Sequence, residues 1–319
     1  MLKQLFLTLA ILISVTGFIS CSKDEPNNGG KDPIENPTDD PKDDPADDPT
    51  DDPKVDPADD GTVIVNADGS TSNGMPFRRI NETAFMLNYV TYCIVGGHLD
   101  TVNHDDIEVA ASLKGKVTIV PAVTIDGTKY YTREIGGFQE SDIVEIELPS
   151  TITRIQIGAF ERSRFLKKII IPENVKSIGD EAFCGCSSLC SVLLNDGIET
   201  IGRYAFAGCP LESITIPENV CIGLACFRNV PLKELILPKS LKVLGGETNQ
   251  NPYVFDSLQL KNIYVNSKDP ITPEGRNDYL FADFLRYEAC LYVPEGSSGL
   301  YKKSKFWGKF IDIEEYNPE

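Results

Sequence analysis

The side chains of this sequence that are best suited to hold a metal ion are its nine cysteines. Seven of them fall in the second half of the chain: Cys184, Cys186, Cys190, Cys209, Cys221, Cys226 and Cys290. Clustered thiolates are typical zinc ligands. However, Cys186 and Cys209 occupy equivalent positions of a repeated pattern, 23 residues apart, and no histidine lies near them in the sequence. A column of small buried thiols is the better interpretation, so we predict no metal site. Disulfides between stacked cysteines stay open as an alternative for an exported chain.

The sequence contains few residues that could support histidine-based catalysis. The two histidines, His98 and His104, are the only candidates for the base of a Ser-His-Asp site. Neither is accompanied by a Gly-x-Ser-x-Gly elbow. Gly96-Gly97-His98 is more typical of a hairpin turn, and the sequence has no glycine-rich loop that could cradle a phosphate. We therefore predict neither an enzyme nor a cofactor.

The net charge of −18 is concentrated near the N-terminus. Residues 22–61 contain 15 Asp and Glu against 4 Lys, largely in Asp-Pro repeats. A segment with so few apolar residues is predicted to be a disordered, extended stalk over residues 21–61. Calcium binding by the Asp pairs is the alternative, although a calcium loop needs an ordered turn. Because the sequence has no cluster of basic residues that could contact phosphates, nucleic acid is not a predicted partner.

The first twenty residues have the pattern of a lipoprotein signal peptide. Lys3 precedes an apolar stretch, Leu5 to Ile19, that is too short to span a bilayer comfortably. The following Cys21 completes a segment that resembles a lipobox. The resemblance implies cleavage before Cys21, acylation of that cysteine and anchoring in the outer membrane. The acidic tract 22–25 resembles a surface-export signal of Gram-negative gut bacteria, which implies that the protein faces the cell exterior. The alternatives are an ordinary secretory signal and acids that simply begin the stalk.

The second half of the chain repeats one pattern. The fullest copy contains Leu166, Ile169-Ile170-Ile171-Pro172, Val175, Ile178-Gly179, Ala182-Phe183 and Cys186. The spacing is clearest in four phenylalanines that are 23, 23 and 21 residues apart: Phe160, Phe183, Phe206 and Phe227. A fixed period in the twenties indicates a solenoid, in which stacked neighbours bury a continuous core.

Each copy predicts a short strand followed by an inward return. Ile169 and Ile171 are two residues apart, so both point to one face of a strand. Pro172 ends the strand because it cannot donate to a ladder. Gly179 is expected to allow a tight bend, and Phe183 is expected to lie in the core.

The string Ile-x-Ile-Pro-x-x-Val-x-x-Ile-Gly-x-x-Ala-Phe-x-x-Cys resembles the BspA-like leucine-rich repeat, from about Ile143 to Asp256. The resemblance implies a mostly β leucine-rich-repeat solenoid with irregular turns. It also implies a cell-surface adhesion or recognition module that binds host or microbial protein, or glycan. Two alternatives are a structural accessory lipoprotein of a surface nutrient-capture complex and, less favoured, an exported hydrolase.

The repeats set the predicted domain organisation. Residues 140–294 are the predicted repeats, with Leu291 to Pro294 as the last strand. Residues 62–139 are predicted to form an N-terminal β cap, in which Asp126-Gly127 makes a hairpin turn. Residues 295–319, which include Trp307, are the predicted C-terminal cap.

The residue between the two inward positions of each predicted strand must face outward. We call these residues the outward column: Glu147, Ile170, Leu193, Thr215, Ile236, Tyr264 and Tyr292. Five of the seven are apolar on a face that should be wet, so the column from Ile170 onward is the candidate binding face. The alternatives are that β-branched residues simply suit strands or that the column is covered within the molecule.

Overall fold

A computed structural model of the chain describes residues 61–102, 114–243, 252–270, 272–275 and 277–317. The predicted signal peptide, Cys21, the predicted stalk up to residue 60, and His104 lie outside these residues. Within them, no helix is both long and apolar enough to cross a membrane.

The N-terminal part is built from hairpins. Its strands are β1 (Val63–Ile64), β2 (Phe77–Arg79), β3 (Ala84–Leu87), β4 (Val90–Val95), β5 (His98–Val102), β6 (Lys114–Thr118), β7 (Ala122–Ile125) and β8 (Thr128–Ile135). Strands β2 to β5 pair antiparallel in sequence order, and β7 pairs antiparallel with β8.

Both hairpin turns predicted in this region are confirmed. Asp126 and Gly127 have φ of 51° and 79° between β7 and β8. Gly96 and Gly97 have φ of 55° and 89° between β4 and β5. Two successive left-handed residues are what a two-residue hairpin needs to match the twist of its strands.

The repeats build two parallel ladders. The front ladder contains β6, β9 (Asp142–Glu147), β11 (Lys168–Ile170) and β13 (Ser191–Leu193), then β15 (Ser213–Thr215), β17 (Glu234–Leu237), β19 (Asn262–Val265), β21 (Cys290–Pro294) and β22 (Asp312–Tyr316). The back ladder contains β8, β10 (Arg154–Ile155), β12 (Ser177–Ile178), β14 (Thr200–Ile201), β16 (Val220–Ile222), β18 (Leu241–Val243) and β20 (Glu274–Gly275).

The front ladder is in two segments, because β13 and β15 are not hydrogen-bonded to each other. The turn before β13 runs from Cys186 to Leu189, whereas the turn before β15 is one residue shorter, from Cys209 to Leu211. The shorter turn contains Pro210, which has no amide hydrogen to donate. The change in spacing therefore interrupts the ladder at this point, and β15 starts a new one.

A stack of phenylalanine rings runs through the core between the ladders. Successive ring centroids are 5.3, 5.1, 5.2, 5.5, 5.3 and 6.0 Å apart along the series Phe138, Phe160, Phe183, Phe206, Phe227, Phe255 and Phe281. All of these rings are buried. The predicted shared interior of the repeats is therefore confirmed, and it extends to two rings that the sequence pattern did not indicate, Phe255 and Phe281.

The glycine that follows the back-ladder isoleucine has a different role from the one predicted. Gly179 was expected to allow a tight bend, but its φ is not in the left-handed region. Instead, a Cβ on Gly179 would lie 2.5 Å from the backbone nitrogen of Ile157. A Cβ on Gly202 would likewise lie 2.4 Å from the nitrogen of Asp180 in the preceding turn. These positions are glycine because successive turns approach too closely for a side chain.

The C-terminal end adds one more strand than predicted. The expected last strand at Leu291 is followed by β22, which pairs with β21 in parallel. The sequence pattern that predicts a strand is weak in β22, because Ile313 is the only buried residue of this strand.

Two short helices, α1 (Leu285–Glu288) and α2 (Ser298–Lys303), and 3-10 turns at Asn277–Tyr279 and Trp307–Lys309 accompany the last turns. The rings of Phe306, Trp307 and Phe310 lie within 5.5 to 6.4 Å of the ring of Phe281, centroid to centroid. They cover the end of the phenylalanine stack.

Replacing one ring of the stack should therefore destabilise the protein strongly. Phe183→Ala leaves a cavity between two neighbouring rings and is expected to lower the free energy of unfolding by about 3–5 kcal/mol. Phe165→Ala is the matched control because its ring is 53% exposed; its effect should stay within about 0.5 kcal/mol. Urea unfolding followed by circular dichroism measures both. Equal effects of the two substitutions would contradict the assignment of Phe183 to a packed interior.

Candidate binding face

The outward column lies along the front ladder as its register dictates. Ile170 is paired with Leu193 across β11 and β13. On the second segment, Thr215, Ile236, Tyr264 and Tyr292 are paired in succession across β15, β17, β19 and β21. The six candidate residues therefore form two aligned runs on one face, separated where the ladder is interrupted. Since side chains alternate along a strand, their neighbours Ile169 and Leu235 point into the core.

The aliphatic members of the column are open to solvent. Ile170, Leu193 and Ile236 are 52%, 59% and 41% exposed. The described part of the chain therefore leaves about half of each of these three residues open to solvent. Large aliphatic side chains left in water at successive positions of a rigid ladder are candidates for burial by a partner.

The tyrosines at the C-terminal end of the column are partly buried by one another. The rings of Tyr264 and Tyr292 stack with centroids 4.8 Å apart and planes inclined by 16°. Tyr316 of β22 packs edge-on against Tyr264 at 5.3 Å. The sequence pattern missed Tyr316 because β22 itself was not predicted. Burial raises the pKa of Tyr292 to about 12. At this end of the column, one face of the Tyr264 ring and one face of the Tyr292 ring are therefore covered.

A shallow open depression lies beside Ile170, where β9 and β11 are followed by their turns. Its apolar lining includes Ile170, Val144 and Leu148, and its charged lining includes Glu147 and Lys168. Glu147, the first residue of the outward column, also forms an ion pair with the ammonium of Lys116. A hydrogen bond from Lys116 holds the pKa of Glu147 below its ordinary value. The depression therefore combines an apolar patch with fixed charges of both signs.

The cysteines at equivalent repeat positions have a structural role. Sγ of Cys186 donates to the carbonyl oxygen of Phe160 at 3.0 Å, and Sγ of Cys209 donates to that of Phe183 at 3.1 Å. In the preceding turn the hydroxyl of Ser163 donates to the carbonyl of Phe138. These three positions therefore hold small side chains that each donate a hydrogen bond to the turn before them. None of the eight cysteines among the described residues forms a disulfide.

A family comparison identifies these turns. Residues 134–253 match, in six copies, the family described as BspA type leucine rich repeat region. The chain carries BspA-type leucine-rich repeats. The family and the solenoid fold class expected from the sequence are confirmed. The match starts earlier than Ile143 because the segment from Ile135 to Phe138 already contributes to the back ladder and to the phenylalanine stack.

Several solved structures resemble the chain. A leucine-rich repeat protein from Bacteroides ovatus is 22% identical, with 71% of this chain and 75% of that chain covered and a TM-score of 0.41. A leucine rich cell surface protein from Faecalibacterium prausnitzii is 14% identical, with coverages of 74% and 96% and a TM-score of 0.28. The pneumococcal vaccine antigen PcpA is 15% identical, with coverages of 74% and 99% and a TM-score of 0.30. No curated protein matches the chain in sequence. At these identities and TM-scores, no property of these proteins is transferred to the chain.

The structure also brings together three residues that the sequence did not associate. His98, predicted only as part of a hairpin, lies beside Asp100 of the same strand and Glu134 of the neighbouring strand. The signal available in the sequence was the alternation of His98 and Asp100, which places both on one face of β5. The position of Glu134 could not be anticipated, because it depends on the parallel pairing of β5 with β8.

Buried cysteines of the BspA-type repeats should resist alkylation. Burial raises the pKa of Cys186 to about 12 and that of Cys209 well above its ordinary value, and only the thiolate reacts. Iodoacetamide at about pH 8 should therefore modify the exposed Cys190 and leave both buried thiols intact until the protein is unfolded in urea. Peptide mapping by mass spectrometry measures the three rates. Comparable rates for all three cysteines in the folded protein would contradict the buried, structural role assigned to Cys186 and Cys209.

Proposed function

We propose that the chain is a binding module, without catalytic activity, that recognises a protein partner at the cell surface through the outward column. Leucine-rich repeats of this family are typically protein-interaction scaffolds, which supports the coarse assignment. The observation that carries the proposal is the exposure of Ile170, Leu193 and Ile236 along the front ladder.

The energetics of this face favour association. Fully burying a leucine or isoleucine side chain contributes about 1.5–3 kcal/mol, and each of these three side chains has roughly half of that still to gain. The column is held by ladder hydrogen bonds on a packed core, so little conformational entropy is lost when a partner binds. A rigid line of aliphatic side chains flanked by charges is suited to a central apolar contact with a polar rim.

The chemistry of the face favours a protein over a glycan as its partner. Recognition of sugars by tyrosine commonly uses an open ring face, and the stacking of Tyr264 on Tyr292 covers one face of each ring. The exposed aliphatic side chains at Ile170 and Leu193 have no counterpart in the polar surface of a glycan. Both observations support a partner with its own apolar patch, on a host cell or on another microbe.

We further propose that the module is displayed outside the cell on a lipid anchor. This rests on the signal-like residues 1–20, on Cys21 and on the acidic stalk of residues 21–61. Forty residues of extended chain reach at most on the order of 120 Å, which is enough to hold the repeats clear of surface glycans. Surface display supports the proposed adhesion, because a module that is tethered to the cell surface stays where partners on other cells are encountered.

Charging the outward column should abolish partner binding without unfolding the protein. The double substitution Ile170→Asp and Ile236→Asp places two carboxylates where apolar contact is needed, and should weaken binding roughly 100-fold or more. Flow cytometry of labelled protein on epithelial cells and on neighbouring gut bacteria measures binding, and circular dichroism checks the fold.

The matched control is Ile157→Asp with Leu258→Asp. These two side chains are 72% and 77% exposed and lie off the column. The control should bind like the original protein. Unchanged binding of the column variant, or equal losses in both double variants, would contradict the proposed face.

Lipid anchoring is tested at Cys21. Cys21→Ser should move the protein from the membrane fraction to the soluble fraction or the medium, because the acylated residue is removed. Cys190→Ser, which changes an exposed cysteine of the repeats, is the control and should stay with the membranes. Protease added to intact cells should cleave the anchored protein within residues 22–61. Membrane retention of Cys21→Ser would refute the anchor, and full protection from protease would refute outward display.

A further inference from the structure

Three potential metal ligands converge on the outer side of the N-terminal hairpins. His98 and Asp100 are two residues apart on β5 and therefore lie on one face of the strand. Asp100 is paired with Glu134 of β8. One ligand atom from each of the three side chains lies within 4.8 Å of the other two, and Nε2 of His98 is 3.1 Å from Oδ1 of Asp100. Two atoms that coordinate one ion at about 2.0–2.2 Å lie at most about 4.4 Å apart, so the cluster is within a few tenths of an ångström of that limit.

Asp100 is the member of this cluster that most needs a partner. The residue is only 7% exposed, and its Oδ1 is buried without an aligned hydrogen bond. Its nearest ionisable neighbour is Nε2 of His98, 3.1 Å away. A buried carboxylate oxygen without a donor is costly.

The surrounding charges leave room for a cation. Glu134 accepts a hydrogen bond from Nε2 of Gln156 at 3.1 Å, and its other carboxylate oxygen is 3.6 Å from Nε of Arg154. Arg154, on β10, therefore partly neutralises the negative charge of Glu134. Among the described residues, the two ionised carboxylates of the cluster carry one more negative charge than the guanidinium of Arg154 balances. The side chain of His98 is 32% exposed, so the cluster can be reached from solvent.

We propose that His98, Asp100 and Glu134 bind one divalent transition-metal ion, for which Zn²⁺ is the best fit. One imidazole and two carboxylates suit Zn²⁺ and its neighbours in the first transition row. They fall short of the six to eight oxygen ligands that Ca²⁺ takes. A water molecule completes the coordination on the open side. The composition of the sequence did not indicate this site, because its ligands come from two strands that only the fold brings together.

The ion would fasten the N-terminal hairpins to the repeats. β5 is the last strand of the antiparallel series, and β8 is the first strand of the parallel back ladder. The pairing of β5 and β8 is irregular between Leu99 and Asp100, which is where the ligands lie. A metal ion shared by both strands would stabilise the folded state by binding it in preference to the unfolded chain.

The test is metal binding by the purified full chain, first treated with a chelator. Isothermal titration with Zn²⁺, and with Co²⁺ as a spectroscopic probe, is expected to show one ion per chain and a higher melting temperature. Asp100→Asn and Glu134→Gln each keep the shape of the side chain but remove a charged ligand, and each should weaken binding on the order of 100-fold. His98→Gln should do the same. Arg154→Gln removes the competing positive charge and should tighten binding.

Two controls separate this site from the cysteines and from general charge effects. A Cys184→Ser, Cys190→Ser double variant should bind Zn²⁺ like the original protein. Ca²⁺ at the same concentration should leave the melting temperature unchanged. The proposal is overturned if no ion binds, if Asp100→Asn and Glu134→Gln bind as well as the original protein, or if the cysteine variant alone loses binding. None of these outcomes bears on partner binding by the outward column, because the two sites share no residue.

Discussion

The packing of one turn of chain on the next is the constraint on which the rest of the structure depends. The rings from Phe138 to Phe281 stack at 5.1 to 6.0 Å. Backbone hydrogen bonds, such as Phe160 N to Ala182 O at 2.7 Å and Phe183 N to Ala205 O at 2.8 Å, tie the same turns together. The glycines at 179 and 202 exist because this approach leaves no space for a Cβ. No single repeat could bury its apolar face, so stability is shared between neighbours.

The same packing determines the candidate binding face. Once one residue of a front-ladder strand points to the stacked core, the residue after it must point to solvent. Ile170 and Leu193 are therefore exposed for the same reason that Ile169 is buried. The face is discontinuous where the turn at Pro210 is short. Its two runs also differ in character, with two aliphatic side chains on the first and a threonine, an isoleucine and two tyrosines on the second.

How much was predictable from the sequence follows from the regularity of the repeats. A period of 21 to 23 residues predicted the stacked phenylalanines from Phe160 to Phe227 and the outward column as far as Ile236, since both need only the spacing. Phe255 and Phe281 follow after 28 and 26 residues, so a search for the shorter period misses them. The parallel pairing of β22 was missed because a single inward residue, Ile313, carries too little alternation.

The cluster of His98, Asp100 and Glu134 lies beyond sequence reasoning for a different reason. Glu134 is 34 residues from Asp100, and nothing in the local pattern specifies that β5 and β8 pair in parallel. Long-range pairing of non-repeating strands depends on the packing of the whole domain. In the repeats, by contrast, the regular spacing along the sequence indicates which strands pair. The cluster of potential metal ligands in the N-terminal region could therefore be recognised only from the three-dimensional structure.

The most direct test of a continuous stacked interior is native-state hydrogen exchange, resolved for individual amides. The amides of Phe160, Phe183, Phe206, Phe227 and Phe255 all donate to the following turn. A shared interior predicts that the five are protected and open with similar free energies, including Phe255 beyond the longer connection. Rapid exchange at Phe227 and Phe255 beside strong protection at Phe183 would contradict it, because the turns would then not form one core.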